Sequence, residues 1–151
     1  MRIALVALLP TLVLTALGGT VARADDKAEV EKELKKFQGT WTFASVETGG
    51  KELPADQFKG ITITFTGDKY AVKKGDDVLQ ACTLKLDPSK SPKAFDVTVD
   101  GATKGMVILA IYEITEDTLK VCFDPEGKTR PTEFKTGSGQ QTLVVHKRMK
   151  K

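Results

Sequence analysis

The sequence predicts an all-β protein: an eight-stranded antiparallel up-and-down barrel with one short N-terminal helix after a signal peptide. Three observations carry the prediction. From Gly39 onward the chain is written in short period-2 runs punctuated by Gly, Pro and Asp. Only one amphipathic helical run precedes them. The single tryptophan, Trp41, opens the first of these runs while Arg148 closes the last, so a sheet curled on itself would bring the two together. Closure is also the simplest way for an antiparallel sheet of this length to remove its sticky edges.

The first 24 residues read as an export signal. Arg2 gives a positive start, "IALVALLPTLVLTAL" an apolar core interrupted by Pro10, and Ala22-Arg23-Ala24 a small-x-small cleavage site. A membrane-spanning helix needs about 20 apolar residues, and this run is shorter. The expectation is therefore cleavage after Ala24, a periplasmic or secreted location, and no membrane span in the mature chain. Removing the segment takes away two arginines and no acid, which lowers the formal charge from +3 to about +1. With Lys, Asp and Glu mixed along the chain, that balance argues against a nucleic-acid partner. The basic C-terminus "HKRMKK" reads as a solubilising tail, and the absence of Asn excludes N-glycosylation.

Residues 25–38 form the helical segment. Within it Asp26 to Phe37, "DKAEVEKELKKF", can be capped by Asp25 or Asp26, carries Glu31 four residues before Lys35, and lines one face with Val30, Leu34 and Phe37. Gly39 ends it. The barrel domain, residues 39–151, is read as eight strands: Thr40–Thr48, Ile61–Thr66, Lys69–Lys74, Val78–Leu86, Ala94–Val99, Met106–Ile114, Leu119–Phe123 and Gln141–Arg148. "ITITFT" alternates most cleanly. In the first strand Trp41 and Phe43 share a face and the pattern then slips to Val46, which predicts a bulge near Ala44-Ser45. "MVILAIYEI" is apolar on both faces, so the helix or the long last loop has to cover its outer side. Up-and-down winding gathers most long connections, including Asp124–Gln140, at one end, and the helix enters at the other, where it can plug the bottom.

At the closure, the Arg148 guanidinium over the Trp41 indole would contribute about 0.5 to 2 kcal/mol. Trp41 and Arg148 are thus read as structural, not as ligand-reading residues. The two cysteines are 40 residues apart, and a disulfide closing such a loop would contribute about 4 kcal/mol in the chain-entropy account. Strand parity opposes it. Cys82 alternates with Leu84 and Leu86, whereas Cys122 is expected on the other face, so both are read as free thiols.

Gly39-Thr40-Trp41, with a basic residue ending the last strand, is similar to the lipocalin pattern. The segments "FQGTW", "GKELPADQFKG", "TFTGDKY", "KLDPSKSPKAFDV", "IYEITEDTLKVCF" and "RPTEF", in this order, closely resemble the planctomycete-type lipocalin-like domain of unknown function, over roughly Phe37 to Arg148. Lipocalins proper carry a helix after the barrel, whereas here Met149 to Lys151 follow the last strand. The resemblance implies the barrel. It implies no activity, since none is assigned to that domain.

The chemistry legible in the sequence is sparse. His146, the only histidine, alternates with Leu143 and Val145, which places it on the outer face with Thr142, Val144 and Arg148 as a surface residue. With no second His and no Cys pair at ligand spacing, no metal site is expected. Ser138 in "TGSGQ" lacks the strand-turn-helix setting of a nucleophile elbow. No catalytic set can be assembled and no cofactor is expected, so the chain is read as a non-enzyme. Three residues remain as ligand-binding candidates. Tyr70 and Tyr112 each join an apolar body to a hydroxyl that could orient a ligand or bond to nearby backbone. Arg130, stiffened by Pro131 in the longest loop, could receive a carboxylate or phosphate, or could pair with Glu133 or another acid.

Eight strands leave room for side chains or for one small ligand. The inward candidates, among them Phe43, Phe65, Phe95, Tyr112, Phe123 and Val145, are mostly bulky, so a full core and a cavity both stay open. Two functions follow. The first is an exported binder of a small apolar or amphipathic molecule at the long-loop mouth; the second is an exported module, inhibitor-like, that meets a protein partner with its loops or outer face.

Overall fold

Charge order shapes the N-terminal helix, α1 (Ala24–Phe37): Asp25 and Asp26 stand in its first turn and Lys35 and Lys36 in its last, complementing the helix dipole. The computed structural model describes residues 24–101, 105–137 and 139–151. The signal segment, apart from Ala24, and Ser138 lie outside the described residues. Among those described, no helix is long and apolar enough to cross a membrane. Gly39 ends the helical segment with φ 112°, a conformation L side chains rarely adopt, which lets the chain swing from helix into strand.

Period-2 alternation then produces β1 (Gly39–Thr48), a two-residue β2 (Lys51–Glu52), β3 (Ile61–Thr66), β4 (Lys69–Lys74), β5 (Asp77–Asp87), β6 (Lys93–Val99), β7 (Val107–Ile114), β8 (Thr118–Phe123) and β9 (Thr142–Arg148). The eight long strands match the expected ones within a residue or so at each end. β2 and a 3₁₀ turn at Ala55–Gln57, both in the loop after β1, were not legible because neither has a repeating pattern.

Every long strand pairs antiparallel with its sequence neighbour, and β1 pairs with β9, so the sheet closes into a barrel. The closing register sets Trp41 opposite Arg148 and slips between Phe43 and Ser45, the expected bulge. Trp41 is fully buried, with the Arg148 guanidinium 4.1 Å from its ring centroid. Arg148 also donates to the carbonyls of Glu116, Gln38 and Lys36 at 2.6, 2.7 and 2.5 Å. One side chain therefore ties the last strand to the first and to the end of α1.

The helix plugs the bottom of the barrel. Phe37 is fully buried and packs edge-on against Phe65, Phe95 and Tyr112, at centroid distances of 5.4, 6.3 and 5.1 Å. Gln38 fastens the plug to the β3–β4 turn through two bonds to the Gly67 backbone, at 2.8 and 3.0 Å. Glu33 is buried beside Phe37. Its carboxylate meets Lys36, accepts from Lys93 Nζ at 2.9 Å and accepts from the Tyr112 hydroxyl at 3.0 Å. Burial pushes this carboxyl up, but the three hydrogen bonds outweigh it and hold the pKa below the ordinary value.

Residues 124–137 of the last loop do not crown the mouth. They run as a strap over the outer wall of β6 to β8, which explains why β7 is apolar on both faces. Asp124 starts it by accepting three backbone N–H bonds, from Glu126, Lys128 and Thr129. Gly127 follows with φ 67°, and a Cβ there would sit 2.2 Å from the Val107 carbonyl oxygen. Pro131 is fully buried, and Thr136 bonds to Glu47 and accepts from the Gly50 N–H at 2.8 Å, anchoring the strap to β1. Cys122 lies under it with Sγ 3.6 Å from the Lys135 carbonyl, while Cys82 belongs to the core cluster. Both thiols are free, as strand parity predicts.

Candidate functional site

The interior divides by what fills it. Below, Phe37, Trp41 and Tyr112 leave no space; above them a cavity of about 240 Å³ remains. Phe65, Phe95 and Leu119 lie at its lower part, and Val72, Ile108 and Phe123 line it nearer the open end. Aromatic and branched side chains at alternate positions create this lining because one residue in two points inward on every strand. Gln80, exposed at the β5 end, marks the mouth. Phe58, in the loop after β1, packs 6.3 Å from Phe43 and covers one side.

Of the three predicted ligand-binding residues, one lines this cavity. Tyr70 stands on its wall, its ring tilted against Phe65 at 5.3 Å; burial, with a bond to the Cys82 thiol, pushes its pKa far up. Tyr112 sits below, sealed off by Phe37, where burial and the Glu33 carboxylate raise its pKa. Its hydroxyl donates to the Glu33 carboxylate of the plug at 3.0 Å. Arg130 lies on the outer wall, where it donates to the carbonyls of Phe95 and Ala110 at 3.1 and 2.8 Å and pairs with Asp96 at 2.5 Å. The guanidinium pins the strap, and of the expected alternatives the structure shows the pairing with another acid, Asp96, 34 residues away in sequence.

A correction concerns β9. His146 is not on the outer face: it is 5% exposed and lines the cavity together with Val144, and Val145 faces out. The reversed parity has a simple cause. Both faces of "LVVH" are apolar but for the histidine, and treating the only polar side chain as solvent-facing turned the strand over.

His146 is the distinctive polar group of the cavity. Its ring meets Phe43 edge-on at 4.6 Å, and its register partners are Phe43 on β1 and Leu119 on β8. Burial drives its pKa down to about 4, against a hydrogen bond to the Thr42 backbone that favours the proton. Nδ1 is the one buried side-chain nitrogen or oxygen, among the described residues, that lacks a hydrogen-bond partner. With Nδ1 unpartnered, the contact with the Thr42 backbone is assigned to the other nitrogen, Nε2, and donation from Nε2 to the carbonyl leaves Nδ1 as the acceptor of the neutral ring. Sequence reasoning missed this residue. The signal that could have found it is the register itself, since pairing Trp41 with Arg148 puts His146 on the face of Trp41.

Among the described residues no group of three or more His, Cys, Asp and Glu side chains is placed to hold a metal ion. Comparison with family models, with curated proteins and with solved structures finds no match to the chain.

Proposed function

We propose that the protein is an exported, non-enzymatic, lipocalin-like barrel that binds a small apolar or amphipathic molecule in the upper half of its interior. The observation that carries this reading is the apolar cavity of about 240 Å³ above a floor of buried Phe37, Trp41 and Tyr112. Concave, mostly apolar sites with few polar groups are where small molecules bind. The export half of the reading rests on the N-terminal sequence pattern, and the lipocalin-like half on the quoted segments together with the closed barrel.

A thermal-shift and native mass-spectrometry screen with small hydrophobic metabolites tests the binding role. At least one compound is expected to raise the melting temperature and to appear as a one-to-one complex. Ala110→Leu, which intrudes on the cavity from β7, is expected to abolish that shift. A screen in which no compound binds overturns the proposal.

One observation favours a second reading, a protein-interaction module. Val78 and Leu79 at the start of β5, and Met106 and Val107 at the start of β7, are exposed at the same end of the barrel. A partner protein would cover them, and replacing Leu79 and Val107 with Ser would then weaken partner binding while leaving small-molecule binding intact.

A further inference from the structure

The polar chemistry inside the cavity narrows what it can take. An apolar cavity of about 150 Å³ accepts benzene, with six non-hydrogen atoms. The cavity here, at about 240 Å³, accommodates on the order of ten by the same proportion. Among the described residues no Lys or Arg lines it. A carboxylate or phosphate brought inside would lose its hydration with no cation to meet it, a large cost. His146 supplies one unsatisfied hydrogen-bonding atom, Nδ1, on the wall. Its register partners, Phe43 and Leu119, offer that nitrogen no hydrogen-bonding side chain, and His146 lines the cavity. Because Nε2 holds the proton, Nδ1 accepts and does not donate.

We infer that the cavity selects a compact, uncharged molecule, aromatic or aliphatic, that carries one O–H or N–H donor, and that His146 Nδ1 is the acceptor which orients it. This rests on the binding role proposed above and specifies the ligand chemistry for the same cavity. Small phenols, indoles and medium-chain alcohols belong to the class; fatty acids in their ionised form do not. A buried nitrogen left without a partner costs stability. A ligand that donates to it recovers part of that loss, so the preference is built into the empty protein.

The test compares indole with indene, which has the same shape and no N–H, and with benzoate as the anionic probe. Each is titrated into the purified protein at neutral pH and followed by methyl NMR, and the ¹⁵N resonance of His146 Nδ1 is read alongside. Indole is expected to bind about fivefold more tightly than indene, the worth of one neutral hydrogen bond. The Nδ1 resonance moves with indole only, benzoate does not bind, and in His146→Leu the ratio of the two affinities falls to about one. Equal affinities for indole and indene in the native protein, with an unmoved Nδ1 resonance, overturn the role of His146 and leave the cavity a binding site. Benzoate binding as well as indole overturns the selection for uncharged ligands. Failure of all three to bind overturns this inference and the binding proposal together.

Discussion

Single residues explain both where the barrel is strong and where it is sensitive. His146 is the clearest case. Its pKa in the folded protein, about 4, lies below the ordinary 6.5 because the ring is buried. Between these values the unfolded chain takes up a proton that the folded chain refuses. Stability is therefore fullest above pH 6.5 and falls as the pH drops toward 4, by about 3 kcal/mol in all. Denaturant unfolding across this range checks it, and His146→Leu is expected to flatten the slope. Arg148 shows the opposite economy, with one guanidinium stacking on Trp41 and donating to three carbonyls. Arg148→Ala is expected to cost about 2 to 4 kcal/mol, and Arg148→Lys to recover little, because an ammonium cannot stack and reach three acceptors at once. Chemical denaturation of the three proteins gives the comparison. At Gly127 any Cβ strikes the Val107 carbonyl. Gly127→Ala is expected to loosen the strap, seen as faster amide exchange over residues 124–137.

Among the elements, the strands and the helix at the barrel floor were legible, and the side-chain partners that anchor the last loop were not. Alternation such as that of "ITITFT" depends only on neighbours two residues apart, so it survives in the sequence whatever the tertiary context. The closing pair of Trp41 and Arg148 was legible too, because both sit at strand ends and antiparallel closure leaves one way to join them. The last loop as the cover of β7 was legible as one of two options, but its anchor was not, since Arg130 finds Asp96 across 34 residues and nothing local to either residue announces the pair. The buried Glu33 is intermediate. It stands at a helical position between Val30, Leu34 and Phe37, inside the apolar stripe, and that placement was the available sign that it would be buried. The helix is expected to behave as part of the barrel floor. Phe37→Ala removes the ring that touches Phe65, Phe95 and Tyr112 and should cost about 3 to 5 kcal/mol in denaturant unfolding. Tyr112→Phe, which takes one donor from the Glu33 carboxylate, should cost about 1 to 2 kcal/mol.

Across the whole molecule, plug, closure and strap act on different parts of one cylinder. The plug and the closing pair make the lower half solid, the strap armours the outer wall of β6 to β8, and the space that side chains do not fill is displaced toward the open end. An interior filled to the top would have left only the protein-interaction reading; the cavity of about 240 Å³ is what the proposed carrier role requires. Composition could not decide between them, because the same bulky residues that line the cavity would fill it if α1 and the strands approached by another few ångströms. The central claim is the hollow upper half, and the most direct measurement is methyl NMR of the protein titrated with indene. The account predicts that the methyls of Val72, Val97, Ile108, Val121 and Val144 shift together and saturate, while those of Val30 and Leu34 beside the plug stay in place. Shifts confined to the exposed Val78, Leu79 and Val107, with the interior methyls unmoved, would contradict it.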